Sequence, residues 1–234
     1  MLRVDHLRVL TGLGEADSGP APSTPISFEV AAGECLAILG ASGSGKTRLL
    51  RAIADLDAAD GFVFLEGAER RELSGDAWRK RVRYASAEPG WWADTPLQHF
   101  PPLTKQANQK LQRTVDSLGL SPGILDQPVA QLSTGERQRL ALVRAFADAP
   151  QVLLLDEPTA ALDGPSTALA EELIRYQTLL NRAVLIVTHD VAQAQRLAKR
   201  CLLLDRGQAV MTDTADPLLL ARVLAPSRAA GDAQ

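Results

Sequence analysis

The chain has 234 residues, of which 46% are hydrophobic and 23% are charged, and its formal net charge is −3. This length suits one α/β domain with a modest insertion and is sufficient to bury a substantial core. The slightly acidic balance argues against nucleic-acid binding through bulk positive charge. No apolar run reaches the roughly 18 residues of a membrane-spanning helix, and we expect no signal peptide. Cys35 and Cys201 lie in apolar runs, which predicts buried thiols in a reducing cytoplasm, not a disulfide or metal site.

The first elements are predicted to be mostly strands. Apolar and polar residues alternate over 2–10, which indicates an edge strand. Residues 11–25 are rich in Gly, Pro and Ser and are predicted to form a loop. A turn is predicted at Asp60 and Gly61. Four short apolar runs predict further strands, at 26–30, 35–39, 62–65 and 82–85.

A glycine-rich loop lies between the strand predicted at 35–39 and a helix predicted at 46–56. The helix has apolar residues at helical spacing: Leu49, Leu50, Ile53 and Leu56. The loop has the pattern G-x-x-x-x-G-K-[ST] and consists of Gly40, Ala41, Ser42, Gly43, Ser44, Gly45, Lys46 and Thr47. In this context backbone N–H groups turn toward a phosphate, Lys46 reaches the β- and γ-phosphates, and Thr47 ligates Mg²⁺. We therefore predict a nucleoside triphosphate site; the alternative is a simple glycine-rich turn.

Residues 90–149 are predicted to form a mostly helical insertion between core strands. The segment 88–102 contains prolines, two tryptophans and a histidine, and we expect it to be irregular. The helix after it has one apolar face, formed by Ala107, Leu111, Val115 and Leu118. Ser121 and Pro122 predict another helix start, with Ser as the N-cap and Pro in the first turn.

The last helix of the insertion has two interpretations. Ser133 and Glu136 have the S-x-x-E spacing of a capping box, which predicts a helix that runs to about residue 147. The first interpretation is that this pattern serves helix capping alone. The second interpretation treats the same glycine-bearing helix start, which includes Thr134 and Gly135, as a second anion site. The residues alone leave both interpretations open.

Two adjacent acids, Asp156 and Glu157, follow the apolar run 152–155. Ligands bind at the carboxyl ends of parallel strands, so Asp156 is a candidate for holding Mg²⁺. Glu157 is a candidate for orienting or deprotonating a water for attack on the γ-phosphate. A strand that simply ends at a charged turn is the alternative.

Another buried strand is predicted at 183–187, and His189 after it is a candidate γ-phosphate contact. Between the two strands a helix is predicted from about 165, with Leu169, Leu173 and Leu180 inward.

Over residues 2–211 the chain resembles the ATP-binding-cassette (ABC) ATPase family. Five motifs carry the resemblance, in the family's order and spacing: 40–47 resembles the Walker A loop, 132–136 the family signature, 152–157 the Walker B strand with its catalytic glutamate, 160–163 the D-loop, and His189 the switch histidine. The signature is found only in this family, so the combination is highly specific.

The resemblance implies an α/β fold, with a P-loop NTPase core of the ABC ATPase type, an antiparallel β subdomain and a helical insert. One domain is expected, with its core at 1–89 and 150–211, the insertion at 90–149 and a tail at 212–234. The implied cofactors are ATP and Mg²⁺. The metal would be held by Thr47 and Asp156.

The resemblance also assigns roles across a subunit interface. Glu157 and His189 would be catalytic, and Asp163 would lie in the D-loop. Two ATP molecules would be sandwiched in a head-to-tail dimer. The signature residues Ser133, Thr134, Gly135 and Glu136 would face the Walker residues of the other subunit.

Three features depart from the family pattern. The signature is Leu-Ser-Thr-Gly-Glu where Leu-Ser-Gly-Gly-Gln is commoner, but Ser133 and Gly135 are retained. The glutamine usual after the strand 82–85 is replaced by Ala87, and Glu88 beside it is a candidate substitute for the contact with Mg²⁺ and water. No Phe, Tyr or Trp precedes Phe28, so Leu10 or a neighbour would offer adenine an apolar contact in place of the usual aromatic.

Two branches of the family are considered. The first is the ATPase subunit of a transporter, peripheral at the cytoplasmic face of the cell membrane, with a separate integral-membrane permease. The alternative is a soluble ABC ATPase acting on nucleic acid or ribosomes, which usually has a long coiled coil or two cassettes. Only about 45 residues separate Ala87 from Leu132, and the charge is not basic, so the transporter branch and no nucleic-acid partner are predicted. The mid-section faintly resembles ATPase subunits of small bacterial exporters.

Trp91 and Trp92 are adjacent at the junction of core and insertion. Neighbouring residues in an extended segment point to opposite sides, so we predict that at least one of them is exposed. Tryptophan is common at binding hot spots, and we expect the exposed tryptophan to anchor the permease. The alternative is that both pack under the insertion.

Overall fold

The computed structural model describes residues 1–10, 24–102, 104–205 and 207–216. Residues 11–23 of the predicted loop at 11–25, and residues 217–234 of the predicted tail at 212–234, lie outside the described residues. The strands within these ranges are β1 (Leu2–Val9), β2 (Ile26–Val30), β3 (Cys35–Gly40), β4 (Ala59–Leu65), β5 (Ala68–Glu69), β6 (Val82–Ala85), β7 (Val152–Asp156), β8 (Ala183–Val187), β9 (Arg200–Asp205) and β10 (Gln208–Asp213).

The α-helices of the described residues are α1 (Lys46–Ile53), α2 (Gly75–Arg81), α3 (Lys105–Ser117), α4 (Thr134–Ala147), α5 (Gly164–Leu179) and α6 (Val191–Leu197). Short 3₁₀ helices occur at Arg70–Glu72, Pro96–His99, Ile124–Asp126 and Val129–Gln131. In the part of the chain that the structure describes, no helix has the length and apolar character needed to cross a membrane.

The smaller sheet is antiparallel, with the strand order β2-β1-β4-β5. The prediction of an edge strand at the amino terminus is therefore wrong, because β1 has a partner on each side. The predicted turn at Asp60 and Gly61 is also wrong, since both residues lie inside β4. They face an irregularity in β1, where His6 has a φ of 50° and the register shifts. A Cβ on Gly61 would lie 2.3 Å from the His6 carbonyl oxygen, so glycine allows the strands to approach here.

The larger sheet has the order β10-β9-β3-β8-β7-β6, and its strands are parallel except for β10. Every residue of β3, β7 and β8 is buried. Continuous apolar runs are expected for parallel strands that are covered on both faces. Because these strands run in one direction, their carboxyl ends share one edge, where residues 40, 156 and 188 lie. The fold therefore assembles a site from three distant segments of the chain.

The core lies on the two faces of the parallel sheet. One face packs against apolar residues of α3, α4, α5 and α6, and Cys201 contributes to it. The other packs against α1 and the antiparallel sheet. Trp78 is fully buried there, and its indole N–H donates to the Ile53 carbonyl oxygen at 2.9 Å. Cys35 and Cys201 are buried free thiols, as predicted, and burial raises the pKa of Cys35 to about 12 and that of Cys201 to about 11.

Helix α1 ends at Ile53, three residues before the predicted end. Asp55 has a φ of 61°, and its N–H donates to the Ala52 carbonyl while the Leu56 N–H donates to Arg51. This is the hydrogen-bond pattern of a Schellman motif, which terminates a helix through a left-handed residue. Leu56, which was predicted to lie on the apolar face, is consequently exposed.

Two other helix predictions are also corrected. Ser121 and Pro122 start no α-helix, because Gly123 has a φ of 78° and only the 3₁₀ turn at Ile124–Asp126 follows. Leu180, predicted to point inward, is the exposed C-cap of α5. The inward face of α5 is formed mainly by Ala170, Glu171, Ile174 and Gln177, with Leu169 and Leu173 half-buried.

Candidate active site

The glycine-rich loop 40–47 connects β3 to α1, as predicted. Gly40 has a φ of 152°, and a Cβ there would lie 2.2 Å from the Leu204 carbonyl oxygen of β9. Only glycine therefore allows the chain to leave the sheet at this point. Helix α1 begins at Lys46 directly after Gly45, so its first N–H groups face the inside of the loop. This geometry is that of an anion site.

Lys46 is buried, and its ammonium group donates to the carbonyl oxygens of Gly40 and Ala41, both at 2.9 Å. Burial lowers the pKa of Lys46, while the nearby charges of Glu157 and Asp156 oppose that shift. The hydroxyl of Ser44 is buried and has no hydrogen-bond partner among the described residues. A buried cation and an unpaired hydroxyl in one loop are suited to phosphate oxygens.

Asp156 ends β7 and is only 2% exposed. Its Oδ2 accepts a hydrogen bond from the Tyr84 hydroxyl at 3.0 Å, and the Thr47 side chain also bonds the carboxyl group. Burial raises the pKa of Asp156, and the hydrogen bonds from Thr47 and Tyr84 oppose the shift. Oδ1 is buried and has no partner within the described residues. An unpaired carboxylate oxygen beside a threonine hydroxyl is suited to a hard cation.

Glu157 and His189 are in direct contact. Oε1 of Glu157 lies 2.6 Å from Nε2 of His189, and their side chains are 29% and 51% exposed. Glu157 has a φ of 46°, and its N–H donates to the Val187 carbonyl oxygen at the end of β8. The carboxylate is therefore directed toward the strand that leads to His189. The two predicted catalytic residues form one pair, close to the surface and next to Asp156.

The signature residues form a second group, at the start of α4. The capping box is present: Ser133 N–H and Oγ donate to Glu136 Oε2 at 2.8 and 2.7 Å, and Glu136 N–H donates to Ser133 Oγ at 3.2 Å. The two bonds that Ser133 donates, from its hydroxyl and its backbone N–H, lower the pKa of the Glu136 carboxyl group. A Cβ on Gly135 would lie 3.5 Å from the Ala161 carbonyl oxygen, so the signature and the D-loop are neighbours. Asp163 caps α5 by accepting from the Ser166 N–H.

The loop after β6 carries the two residues at the position of the missing glutamine. Ala87 is half-buried and Glu88 is exposed. The Ser86 hydroxyl donates to the Glu88 carbonyl oxygen at 2.7 Å, which stabilises the turn. The substitution of the glutamine by Glu88 stays a prediction.

Tyr84 was missed by the sequence reasoning, although it contacts Asp156. It lies on β6, which pairs in parallel with β7 and places Tyr84 opposite Leu154. Burial raises the pKa of its hydroxyl, so this group remains a hydrogen-bond donor. The available signal was a tyrosine within the strand predicted at 82–85, but the pairing of that strand with β7 was not predicted.

The tryptophan pair lies in the irregular segment before α3, and the prediction of an exposed member is confirmed. Trp92 is 76% exposed, whereas Trp91 is half-buried against the core. The guanidinium carbon of Arg144 lies 4.6 Å from the ring centroid of Trp91 and 5.0 Å from that of Trp92. The ring of His99 meets both indoles edge-on. One cation and one histidine therefore hold the two indoles together.

The fold and the site define a P-loop ATPase with a signature helix. A family model described as ABC transporter matches residues 23–160. The chain belongs to the ABC transporter family. It is an ATPase, and it is the ATP-binding subunit of an ABC transporter; the nucleic-acid alternative is not favoured.

Several curated relatives are ATP-binding proteins of transport systems. The glycine betaine uptake system ATP-binding protein YehX of Escherichia coli (strain K12) is 34% identical over 90% of this chain and 70% of its own length. The glycine betaine/carnitine/choline transport ATP-binding protein OpuCA of Bacillus subtilis (strain 168) is 32% identical over 83% of this chain and 54% of its own length. The aliphatic sulfonates import ATP-binding protein SsuB 2 of Agrobacterium fabrum (strain C58 / ATCC 33970) is 36% identical over 86% of this chain and 77% of its own length.

Solved structures share the fold. A dimeric, post-hydrolysis ATP-binding cassette bound to ADP and Pi superposes with a TM-score of 0.79 at 23% identity, over 92% of this chain and all of that chain. The ATP-binding subunit of an ABC transporter superposes with a TM-score of 0.82 at 20% identity, over 95% and 98%. The expected α/β fold is confirmed.

Proposed function

We propose that the site hydrolyses ATP through the pair formed by Glu157 and His189. The loop 40–47 and Lys46 bind the phosphates, Glu157 orients or deprotonates the attacking water, and His189 contacts the γ-phosphate. The observation that carries this proposal is the 2.6 Å contact between the two side chains, one residue beyond the buried Asp156. A general base must lie within hydrogen-bond reach of the proton that it abstracts, and the contact supports the proposal because it places Glu157 beside the residue proposed to contact the γ-phosphate.

We also propose that Thr47 and Asp156 hold Mg²⁺. Both offer oxygen atoms, and Oδ1 of Asp156 is buried without a partner among the described residues. Within those residues no group of three His, Cys, Asp or Glu side chains could hold a metal. This fits Mg²⁺, which usually binds one or two protein oxygens together with substrate phosphates and waters. When bound, the ion neutralises charge that develops on the phosphates.

The signature group is proposed to act across a dimer, with Ser133, Thr134, Gly135 and Glu136 facing the ATP of the partner subunit. The helix start has N–H groups for an anion, and the D-loop with Asp163 lies beside it. The similar cassette with ADP and Pi is dimeric, which supports this arrangement. The division into a core and an insertion at 90–149 is part of the same proposal.

The membrane partner is proposed to be a separate permease, with this subunit at the cytoplasmic face of the membrane. Relatives named for glycine betaine uptake and for aliphatic sulfonate import favour import over the faint exporter resemblance. Because these solutes differ in charge, the names of the relatives support a direction of transport but no particular solute. ATP-driven solute movement toward the ATPase side of reconstituted vesicles would support import, and movement away from it would contradict import.

The experiment for the catalytic proposal is Glu157→Gln. We expect ATP binding to persist and the hydrolysis rate to fall by about 10²-fold or more, because the amide cannot accept a proton. The measurement is phosphate release with purified protein, alongside ATP affinity. Glu172→Gln makes the same chemical change at an exposed position of α5 and should leave the rate unchanged. Near-wild-type turnover in Glu157→Gln would remove Glu157 from the role.

A further inference from the structure

Helix α5 carries a buried carboxylate that the active site does not use directly. Glu171 is 2% exposed, and a buried charge is costly unless it is paired and hydrogen-bonded. Arg196 of α6 supplies a bidentate pair, with Nε 2.8 Å from Oε2 and Nη2 2.6 Å from Oε1. Gln193 Nε2 donates to Oε1 at 3.1 Å. We call Glu171, Gln193 and Arg196 the Glu171 network.

One arm of the Glu171 network reaches the segment that carries Glu157. The side-chain amide of Gln193 also donates to Thr159 Oγ1 at 2.9 Å. Thr159 is two residues after Glu157, and the Ala160 N–H closes the turn by donating to the Glu157 carbonyl oxygen at 3.2 Å. The position of the Glu157 backbone is therefore connected to Glu171 through one amide group.

The other arm reaches the segment that carries His189. Arg196 Nη2 lies 3.6 Å from Asp190 Oδ2. Asp190 caps α6 by accepting from the Ala192 N–H, and its own N–H donates to Thr188 Oγ1. His189 lies between these two hydrogen-bonded residues. The His189 segment is consequently linked through Arg196 to the same carboxylate that is linked through Gln193 to the Glu157 turn.

We propose that Glu171 is a positioning residue that fixes the Glu157 and His189 segments relative to each other. Backbone pairing joins these segments up to the register pair of Asp156 with Val187 and the hydrogen bond from the Glu157 N–H to the Val187 carbonyl oxygen. Beyond that pair both catalytic side chains are partly exposed, so their 2.6 Å contact depends on the loops. A bidentate pair between Arg and a carboxylate is geometrically specific, and small misplacements at a reaction centre cost rate. The proposal rests on the roles proposed above for Glu157 and His189.

The central test is Glu171→Gln, which keeps the side-chain shape and removes its charge. We expect kcat to fall by about tenfold or more while KM for ATP stays within about twofold, because the phosphate loop is not part of the network. Thr159→Val removes only the hydrogen bond between Gln193 and the Glu157 turn. It should likewise lower kcat and leave KM for ATP within about twofold. Arg196→Lys removes the bidentate geometry and keeps the charge, and it should also lower kcat. These two variants test the proposal even if Glu171→Gln fails to fold.

Arg175→Gln is the matched control. Arg175 lies 3.7 Å from the same carboxylate, but its side chain is 52% exposed, and among the residues that the structure describes it makes no side-chain hydrogen bond to either catalytic segment. Its substitution should leave kcat unchanged. The melting temperature of each variant is measured alongside, with the kinetics recorded well below it. The His189 ring resonance can be followed by NMR in a His6→Gln, His99→Gln background, since the chain has three histidines.

The outcomes separate the two proposals. Lower kcat and a shifted His189 resonance in Glu171→Gln and Thr159→Val support the positioning role. Lower melting temperatures with wild-type kcat and an unmoved resonance, beside a slow Glu157→Gln, overturn the positioning role alone. Wild-type turnover in Glu157→Gln overturns both proposals.

Discussion

At the residue scale, two adjacent carboxylates have opposite environments because a strand ends between them. Asp156 completes β7 and is buried beneath the sheet edge, whereas Glu157 turns out of the strand with a positive φ. Burial raises the pKa of Asp156, and Tyr84 and Thr47 stabilise its charged form. Glu157 instead contacts His189 near the surface. The backbone turn thus separates Asp156, the acid proposed to hold Mg²⁺, from Glu157, the acid proposed to activate water.

A prediction at this scale concerns Glu88. If it substitutes for the family glutamine, Glu88→Ala should lower the hydrolysis rate and raise the Mg²⁺ concentration needed for half-maximal activity, because an oxygen near the metal is lost. Glu88→Gln should retain more activity, and Ala87→Gln should be tolerated or activating. The measurement is the Mg²⁺ dependence of phosphate release. An inactive Ala87→Gln beside a normal Glu88→Ala would mean that the alignment is shifted by one residue.

At the element scale, helices α1 and α5 end in the same way. Asp55 after α1 and Asn181 after α5 have positive φ values, and the N–H groups beyond them return to carbonyls of the last turn. Both residues are types that tolerate the left-handed conformation. The termination leaves Leu56 and Leu180 on the surface. The helical spacing of apolar residues in the sequence therefore extends beyond the ends of the helices, and for this reason both leucines were predicted to be buried.

The prediction at this scale concerns the irregular segment before α3. Trp92→Ala should leave the melting temperature and the ATPase fold unchanged, since Trp92 is 76% exposed. It should weaken co-purification with the membrane partner, because truncating a tryptophan hot spot can cost about 2 kcal/mol or more. Trp91→Ala should instead lower the melting temperature, since Trp91 packs on the core.

Leu179→Ala is the control for that experiment. Leu179 is similarly exposed, but it lies at the end of α5. Its substitution removes apolar surface elsewhere and should leave co-purification unchanged. Full co-purification of Trp92→Ala with the partner would place the docking site on another surface.

At the scale of the whole molecule, the site residues fall into two groups on one chain. The phosphate loop meets Asp156, Glu157 and His189 at the edge of the parallel sheet, while the signature meets the D-loop at the start of α4. A head-to-tail dimer would bring one group of each subunit against the other group of its partner.

The dimer can be tested in a Glu157→Gln background, where bound ATP persists. With MgATP we expect a dimer by light scattering after size-exclusion chromatography, and a monomer without nucleotide. Adding Thr134→Glu should prevent dimer formation, because a second carboxylate at the signature would repel phosphate. An acid in the first turn of α4 suits the helix, so folding should persist. Thr134→Ser is the control. A dimer that survives Thr134→Glu would contradict the proposed contact.

The sequence alone determined the features that are encoded locally. Apolar runs marked β2, β3, β7 and β8, and the S-x-x-E spacing marked the start of α4. The motifs were recognisable because phosphate loops and strand-end acids require particular residue types at short, constant spacing. Through the family resemblance that these motifs carry, they were sufficient to predict the fold class and the ATPase activity.

Only the tertiary structure decided how distant segments meet. Parallel pairing brings Tyr84 to Asp156, and the packing of α5 against α6 brings Glu171 to Arg196. The second partner of β1 and the bulge opposite Gly61 likewise arise from strands that are far apart in the chain. No local periodicity encodes such contacts, because they depend on strand register and helix packing. The hydrogen bonds that hold Asp156 and the Glu157–His189 pair in place are therefore a property of the folded molecule.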